Sequence, residues 1–444
     1  MPLSPSRSAA FDILMRVEQG AFADELLHSE RLDKLSAADR ALCMEIVMGV
    51  LRWRSRVDEI IGSWSKAPLH KLDLEVATAL RIGTYQLTHL ERVPAHAAVD
   101  QTVELVKRAG RRFAAPMANA IMRKIAASKP APLPMGEEES LDRIAVSTAH
   151  PLWLLDRWSA EYGLDAVQEI TRYDQQIPVP TLCLRDPEAE SDLRDEGIEL
   201  APGALVAGAR RVISGDVTKS RVFAEGRAYL QDEASQLVAL MVGRGSRILD
   251  CCAAPGGKTS VMAQQNPSSL VVAVELHPAR ACLTRRLVRA NNVCVVAANA
   301  EALPLLPVFD RVLADVPCSG TGTLARNPEI KWRRQPEDLS GLHRRQVSIL
   351  RSALSHLVPG GRLVYSTCSL EREENEDVIS EVMAARKDLR LLDCREELQR
   401  LQSEGELLWL SSLVRGKFLR TLPGVHPCDG FFAAILEKND TDHG

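Results

Sequence analysis

Three times between residues 247 and 369 a short apolar run ends in a loop of small residues that carries Asp or Cys. The three are Leu249-Asp250 followed by Cys251 to Thr259, Leu313-Ala314-Asp315 followed by Val316 to Gly322, and Val364-Tyr365 followed by Ser366 to Ser369. Apolar runs of this length bounded by small residues read as buried strands. Arg247 to Leu249, Leu270 to Val274, Val293 to Ala297, Arg311 to Leu313 and Arg362 to Tyr365 alternate with long helical segments, among them 336–358 and 371–386. Such alternation predicts a doubly wound α/β sheet over 226–438. Phe431 to Leu436 is its last buried strand, and Asn439 to Gly444 a polar tail. Open sheets of this kind bind ligands at the carboxyl ends of their strands. The Asp and Cys loops therefore converge on one edge.

The rest of the chain reads differently. Residues 1–128 are helical throughout, with apolar stripes such as Leu42, Ile46, Val50 and Val99, Val103, Val106, and with Ser36 to Asp39 in the form of a capping box. An all-α bundle is expected there. Lys129 to Pro134, with three prolines, then Gly136 and Glu137 to Glu139, predict a stiff linker. Between 140 and 225 an amphipathic helix (Trp153, Leu154, Trp158, Tyr162) precedes strand-like pieces such as Val179 to Leu184, as expected of a small α+β domain. At about 100–200 residues per domain, 444 residues hold two to four domains.

Charge and cysteine content narrow the class. Fifty-five Lys+Arg against 59 Asp+Glu give a net charge of −4, which excludes a globally basic nucleic-acid coat but not a local basic groove. No apolar run approaches a membrane span of about 18 residues, and the N-terminus lacks the pattern of a signal peptide. The ten cysteines have no C-x-x-C pairing or zinc-type spacing, so no metal is expected and a reducing cytoplasm is. Cys43, Cys183, Cys282, Cys294, Cys394 and Cys428 read as small buried hydrophobes. No exposed heptad seam is evident, and a monomer is expected.

The first loop, Cys252-Ala253-Ala254-Pro255-Gly256-Gly257-Lys258, brings backbone N–H groups to the start of a helix, where they can meet a nucleotide-like ligand. Gly257-Lys258-Thr259 is not a phosphate-binding P-loop, because that motif needs glycine where Cys252 stands. The G-x-G-x-x-G fingerprint is absent too. Twenty-five residues after Asp250, Glu275 closes the second strand, the place of an acidic group that binds a ribose diol. A nucleoside cofactor without a required pyrophosphate fits, and S-adenosylmethionine leads.

A methyl donor, a carboxylate and two thiols suit one reaction. Carbon-5 of cytosine is too weak a nucleophile to take a methyl group directly. A thiolate adding at carbon-6 makes the ring an enamine, and a carboxylate such as Asp315 stabilises the extra proton on N3. A base then removes the carbon-5 proton and the thiolate leaves. One of Cys318 and Cys368 is the nucleophile and the other assists release. A base stacked in a duplex is out of reach, so the target is single-stranded or flipped out.

CAAPGGKT, DVPCSGTG, and YSTCSL followed by EREENEDVI resemble the RsmB/Nol/Nop/Sun group of RNA 5-methylcytosine methyltransferases over 226–438, with Gln231 to Ser235 and Pro427 to Phe432 at its ends. The resemblance implies Cys368 as nucleophile, Cys318 in product release, Asp315 as the assisting carboxylate, and Lys258 near the base. It implies cofactor contacts from Cys252 through Lys258, Glu275 and Asp315. Asn299 stands where the family often has an acidic residue at the adenine. DNA cytosine methyltransferases, with their Pro-Cys nucleophile, would nominate Cys318 instead, but Cys368 in its YSTCS context matches the RNA group. Residues 1–128, through Ser6 to Phe11, Leu80 to Leu87 and Asn119 to Met122, resemble the NusB-type RNA-binding fold. Together the two implied domains point to small-subunit (16S) rRNA as substrate. The alternatives are tRNA or another rRNA site, or a non-catalytic RNA-binding transcription or assembly factor. Two basic groups are candidate RNA contacts: Lys107, Arg108, Arg111, Arg112, Arg123 and Lys124, and, around Trp332, Arg326, Lys331, Arg333 and Arg334.

Overall fold

The computed structural model describes residues 3–29, 32, 34–128 and 140–439. The linker expected over 129–139 and most of the polar tail lie outside the described residues. The chain forms two compact units. The first comprises residues 1–177 with 324–333, and the second 178–323 with 334–444.

In the first unit, helices Pro5–Glu18, Ala37–Arg52, Arg54–Trp64, Ala95–Arg108 and Ala115–Ser128 surround Leu74–His89, which is buried almost all round from Val76 to Gln86. A helix buried on every side belongs in the middle of a bundle, and its polar Thr78, Arg81, Thr84 and Gln86 are buried with the rest. Of the expected capping box the N-cap half forms: Asp39 N donates to Ser36 Oγ at 3.1 Å, and that hydroxyl in turn donates to Asp39 Oδ2 at 2.8 Å. Gly49 is required by packing, since a Cβ there would sit 1.9 Å from Tyr85 Cζ.

The stretch 140–225, expected as one small domain, divides near residue 177. Its helices Leu141–Ser147, Leu152–Tyr162 and Leu164–Asp174 belong to the first unit. Its strands belong to the second, where β1 (Thr181–Leu184), β2 (Glu199–Pro202), β3 (Ala209–Ser214) and β4 (Ala228–Leu230) make an antiparallel sheet in the order β2-β3-β1-β4. The helices bury Leu154, Leu155, Trp158, Val167 and Ile170, whereas the strands close a separate core of Leu182, Leu193, Ile198, Val212 and Val222.

The larger sheet of the second unit has nine strands: β5 (Arg247–Asp250), β6 (Leu270–Glu275), β7 (Val293–Ala297), β8 (Phe309–Asp315), β9 (Leu357–Thr367), β10 (Leu389–Leu392), β11 (Val414–Arg415), β12 (Phe418–Arg420) and β13 (Phe432–Lys438). From β7 the order runs β6, β5, β8, β9, β13, β12, β11, with β10 also beside β13. β5 to β9 pair in parallel and β13 runs antiparallel to β9. From β5 the chain winds outward to β6 and β7, then crosses back to β8. The switch point between β5 and β8 is flanked by Asp250 and Asp315, at the edge where such sheets hold their ligands.

Four of the six cysteines expected to be buried hydrophobes are buried; Cys282 and Cys294 are exposed. Cys282 faces out from the helix Pro278–Val288, and Cys294 lies on β7, the edge strand. Among the described residues no helix is long and apolar enough to cross a membrane.

Candidate active site

The first loop folds back on the strand it leaves. Cys251 N donates to Leu313 O at 2.9 Å and Ala253 N to Val274 O at 2.8 Å, tying the loop to both neighbouring strands. Asp250 is buried beneath it, accepting from Thr259 Oγ1 at 2.6 Å. Burial pushes the Asp250 carboxyl up to about 6, with the Thr259 hydroxyl opposing. The Ala254–Pro255 bond is cis, and Gly256 follows at φ +112°. A Cβ on Gly256 would come within 2.5 Å of Val288 Cγ2, so the turn closes only around glycine. The helix Gly257–Gln265 starts immediately after it and presents its N-terminal amides to the same edge.

Glu275 ends β6 buried, its Oε1 accepting from His277 N at 3.0 Å. A carboxylate acceptor fixed beside a turn of small residues and a helix N-terminus is a set of groups that could hold the ribose of S-adenosylmethionine. Asn299 is exposed, and its Oδ1 accepts from Glu301 N at 3.0 Å. Part of the carbonyl's capacity to accept from an adenine amino group is thus already engaged in capping a local turn.

The candidate reactive groups gather beside this loop. Lys258, the second residue of its helix, places Nζ 2.8 Å from Asp315 Oδ2 and 5.0 Å from the ring centre of Phe431. Burial alone would lower the ammonium of Lys258, but the charge and hydrogen bond of Asp315, with a contribution from Cys368, raise it above its usual range. The parallel register pairs Asp315 with Ser366, whose hydroxyl donates to Asp315 Oδ1 at 2.7 Å. Cys318 and Cys368, one on each following loop, bring their sulfurs to 3.3 Å. The hydrogen bond to Cys368, together with burial, pushes the Cys318 thiol well above its usual range. The sequence-predicted catalytic set Cys318, Cys368, Asp315 and Lys258 is therefore brought together at one edge of the sheet.

The second basic group does not form an open RNA surface. The segment 324–333 belongs to the first unit, where Lys331 is buried and its Nζ donates to Arg52 O at 2.8 Å and Ala149 O at 2.9 Å. Trp332 Nε1 donates to Leu51 O at 2.6 Å and Arg333 to Ala21 O at 2.6 Å. These cations and the indole satisfy backbone carbonyls at helix ends and turns, the work expected of buried polar groups. Arg334, back in the second unit, donates to Ser319 O at 3.3 Å and Cys318 O at 3.4 Å, bracing the Cys318 loop. In the N-terminal group Lys107, Arg108, Arg112, Arg123 and Lys124 are exposed, while Arg111 is half-buried. Lys107, Arg108 and Arg111 are paired with Glu104, Asp12 and Glu75, respectively.

Sequence reasoning assigned no role to Glu374, Ser319, Ser369 or Gln346, all buried around the thiols. The one available signal was an acidic residue in the EREENEDVI run directly after a strand-end cysteine.

The strand order, the switch point and the loop chemistry are those of an S-adenosylmethionine-dependent methyltransferase, and comparison with known proteins agrees. Residues 237–437 match the family described as 16S rRNA methyltransferase RsmB/F, and residues 4–127 match the NusB family. The probable ribosomal RNA small subunit methyltransferase B of Bacillus subtilis is 32% identical, over 97% of this chain and 98% of that one. The ribosomal RNA small subunit methyltransferase B of Vibrio vulnificus is 30% identical, over 97% and 99%. The crystal structure of PH0851 covers 99% of this chain and 100% of its own at a TM-score of 0.80 and 22% identity, a likeness of fold. NSun6 from Pyrococcus horikoshii, solved with SFG, shares the fold over 66% of this chain and 99% of its own, at a TM-score of 0.56 and 20% identity. The chain belongs to the RsmB/F family of 16S rRNA methyltransferases. It is an RNA methyltransferase that uses S-adenosylmethionine.

Proposed function

We propose that this enzyme methylates carbon-5 of a cytosine in 16S rRNA through a transient bond between Cys368 and carbon-6 of the ring. The observation that carries the reading is the 3.3 Å contact of two sulfurs beside a Lys258–Asp315 pair at 2.8 Å. The YSTCS context of Cys368 and the Lys258 cation, on which the charge of Cys368 acts, favour Cys368 as the sulfur that supplies the thiolate.

In this reading Cys368 adds to carbon-6, and Asp315 stabilises the proton gained at N3. Lys258 holds Asp315 in place and lies near the base. S-adenosylmethionine, when bound, supplies the electrophilic methyl group; Glu275, the loop from Cys252 to Lys258, Asn299 and Asp315 would hold it. Once carbon-5 carries the methyl group, a base takes its remaining proton, the carbon-6–sulfur bond breaks, and Cys318 assists that release. The helical domain of residues 1–128 docks the RNA, as the NusB-type match supports. We further infer that the enzyme works as a cytoplasmic monomer.

The test is transfer of labelled methyl to unmodified 16S rRNA, with tRNA and 23S rRNA alongside. Transfer to 16S alone, abolished in Cys368→Ala with cofactor affinity nearly intact, is the expected result. Cys318→Ala should accumulate an RNA adduct that survives denaturing gels. Label on tRNA instead would discard the 16S assignment and keep the chemistry. Full turnover of Cys318→Ala without adduct would remove its release role.

A further inference from the structure

The residues after the two reactive cysteines are both serines, and both serines end on one carboxylate. Glu374, fully buried in the short helical turn Arg372–Glu374, accepts at Oε2 from the hydroxyls of Ser319 and Ser369. At Oε1 it accepts from Ser319 N at 2.8 Å and from Gln346 Nε2 at 2.8 Å. Gln346, from the helix Asp338–Ser355, also donates to Pro317 O at 3.0 Å, one residue before Cys318. The two serine hydroxyls lie 2.9 Å apart.

The turn that carries Glu374 is itself anchored. Its carbonyl accepts from Tyr365 OH at 2.6 Å, and the adjacent Asn375 donates to Ser369 O at 2.9 Å and accepts from Thr367 Oγ1 at 2.5 Å. The carboxylate therefore stands on β9 and reaches across to the loop after β8. A buried carboxylate normally faces a cation. Among the described residues this one takes four donors, all neutral, and three of them come from the residues adjacent to the reactive sulfurs, which a bland packing role does not require.

We propose that Glu374 is a positioning residue that sets the separation and facing of the Cys318 and Cys368 sulfurs. The proposal rests on the reading of that pair as nucleophile and release group. A clamp of this kind matters more to release than to addition. Cys368 alone suffices to form the adduct, but Cys318 must stay within contact of it as the carbon–sulfur bond breaks. Misplacing a reacting group by about 1 Å costs on the order of 100-fold in rate.

The experiment compares wild type, Glu374→Ala and Glu374→Gln with unmodified 16S rRNA and labelled S-adenosylmethionine. It is read as kcat, KM, cofactor affinity and the fraction of RNA held covalently. Glu374→Ala should lower kcat on the order of 100-fold and lower KM with it as adduct accumulates, should leave cofactor affinity nearly unchanged, and should hold RNA as adduct. Glu374→Gln keeps one acceptor oxygen and should recover a large part of the rate. Independently of activity, bridging of Cys318 and Cys368 by dibromobimane, with Cys318→Ala as background, should slow severalfold in Glu374→Ala. Should that variant fail to fold, the Ser319→Ala/Ser369→Ala double variant carries the same expectations. Wild-type kcat and bridging in a folded variant would overturn the proposal. Loss of activity without adduct and with unchanged bridging would overturn it as well. Slowed bridging in Glu374→Ala, beside a wild type that methylates no RNA, would instead overturn the proposed function and leave the clamp standing.

Discussion

Lys258 Nζ lies 2.8 Å from Asp315 Oδ2, joining the loop after β5 to the end of β8 across the switch point of the sheet. Asp315→Asn keeps the shape and the Ser366 hydrogen bond while removing the charge. In the proposed mechanism it leaves the Lys258 ammonium without its charged partner and N3 of the base without a carboxylate. Methyl transfer should fall about 10²–10⁴-fold, the range for a lost acid–base group. Single-turnover transfer with saturating RNA checks this; a change confined to KM would contradict the role given to Asp315.

The turn at Gly256 makes a separate prediction. Alanine there must adopt φ near +112° and must also move Val288, whose Cγ2 would lie 2.5 Å from the new Cβ. Left-handed backbone costs a non-glycine residue about 1–2 kcal/mol, and displaced packing adds to it. Gly256→Ala should lower Tm and weaken S-adenosylmethionine binding about tenfold or more, since tenfold corresponds to about 1.4 kcal/mol. Titration calorimetry with the cofactor and a thermal melt together test it, and unchanged affinity would show that the loop does not shape the cofactor site.

How far the sequence revealed these features depends on whether they repeat locally. The strand-end loops were legible because apolar runs ending in Asp250, Asp315 and the Cys368 loop follow simple strand patterning. Cys318 and Cys368 are 50 residues apart in the chain, yet both follow adjacent strands, so topology alone brings them to one edge. The Glu374 clamp was not legible, since its partners Ser319, Gln346 and Ser369 share no period and meet only through the β8–β9 pairing. The basic run at 331–333 misled for the opposite reason. It is local and looks solvated, but Lys331 and Trp332 are spent on the carbonyls of Arg52 and Leu51, far off in the chain. The exposed Cys294 shows the same limit, because nothing in its strand marks β7 as an edge.

Lys331 offers a test through pH. Burial pushes its ammonium down to about 7, with Asp174 partly opposing. Between about 7 and the ordinary lysine value near 10.4 the unfolded chain holds more protons than the native one, so stability rises with pH across that window. The neutral amine still donates to Arg52 O and Ala149 O, whereas Lys331→Met leaves both carbonyls without that donor, at about 1–3 kcal/mol each. Urea midpoints measured from pH 7 to 10 should therefore diverge, the difference between wild type and the methionine variant growing in favour of wild type as pH rises. Parallel curves would show that the native lysine keeps an ordinary pKa.

Asp250 should act in the opposite direction at lower pH. Its carboxyl, pushed up to about 6 chiefly by burial and further by Asp315, keeps its proton in the native state where the unfolded chain has lost it. Across the window from about 4 to 6 the native state thus binds more protons, and stability falls as pH rises, by up to about 1.4 kcal/mol per pH unit. Below the window both states are protonated and the cost vanishes; above it the cost is constant. Asp250→Asn retains an oxygen for the Thr259 hydroxyl and cannot ionise. The variant should match wild type near pH 4 and exceed it in stability above pH 6, so the difference between their denaturation midpoints, not either curve alone, isolates this group from the other carboxylates. A difference that is flat from pH 4 to 7 would mean that the Thr259 hydrogen bond and the Lys258 charge offset the burial of Asp250 completely.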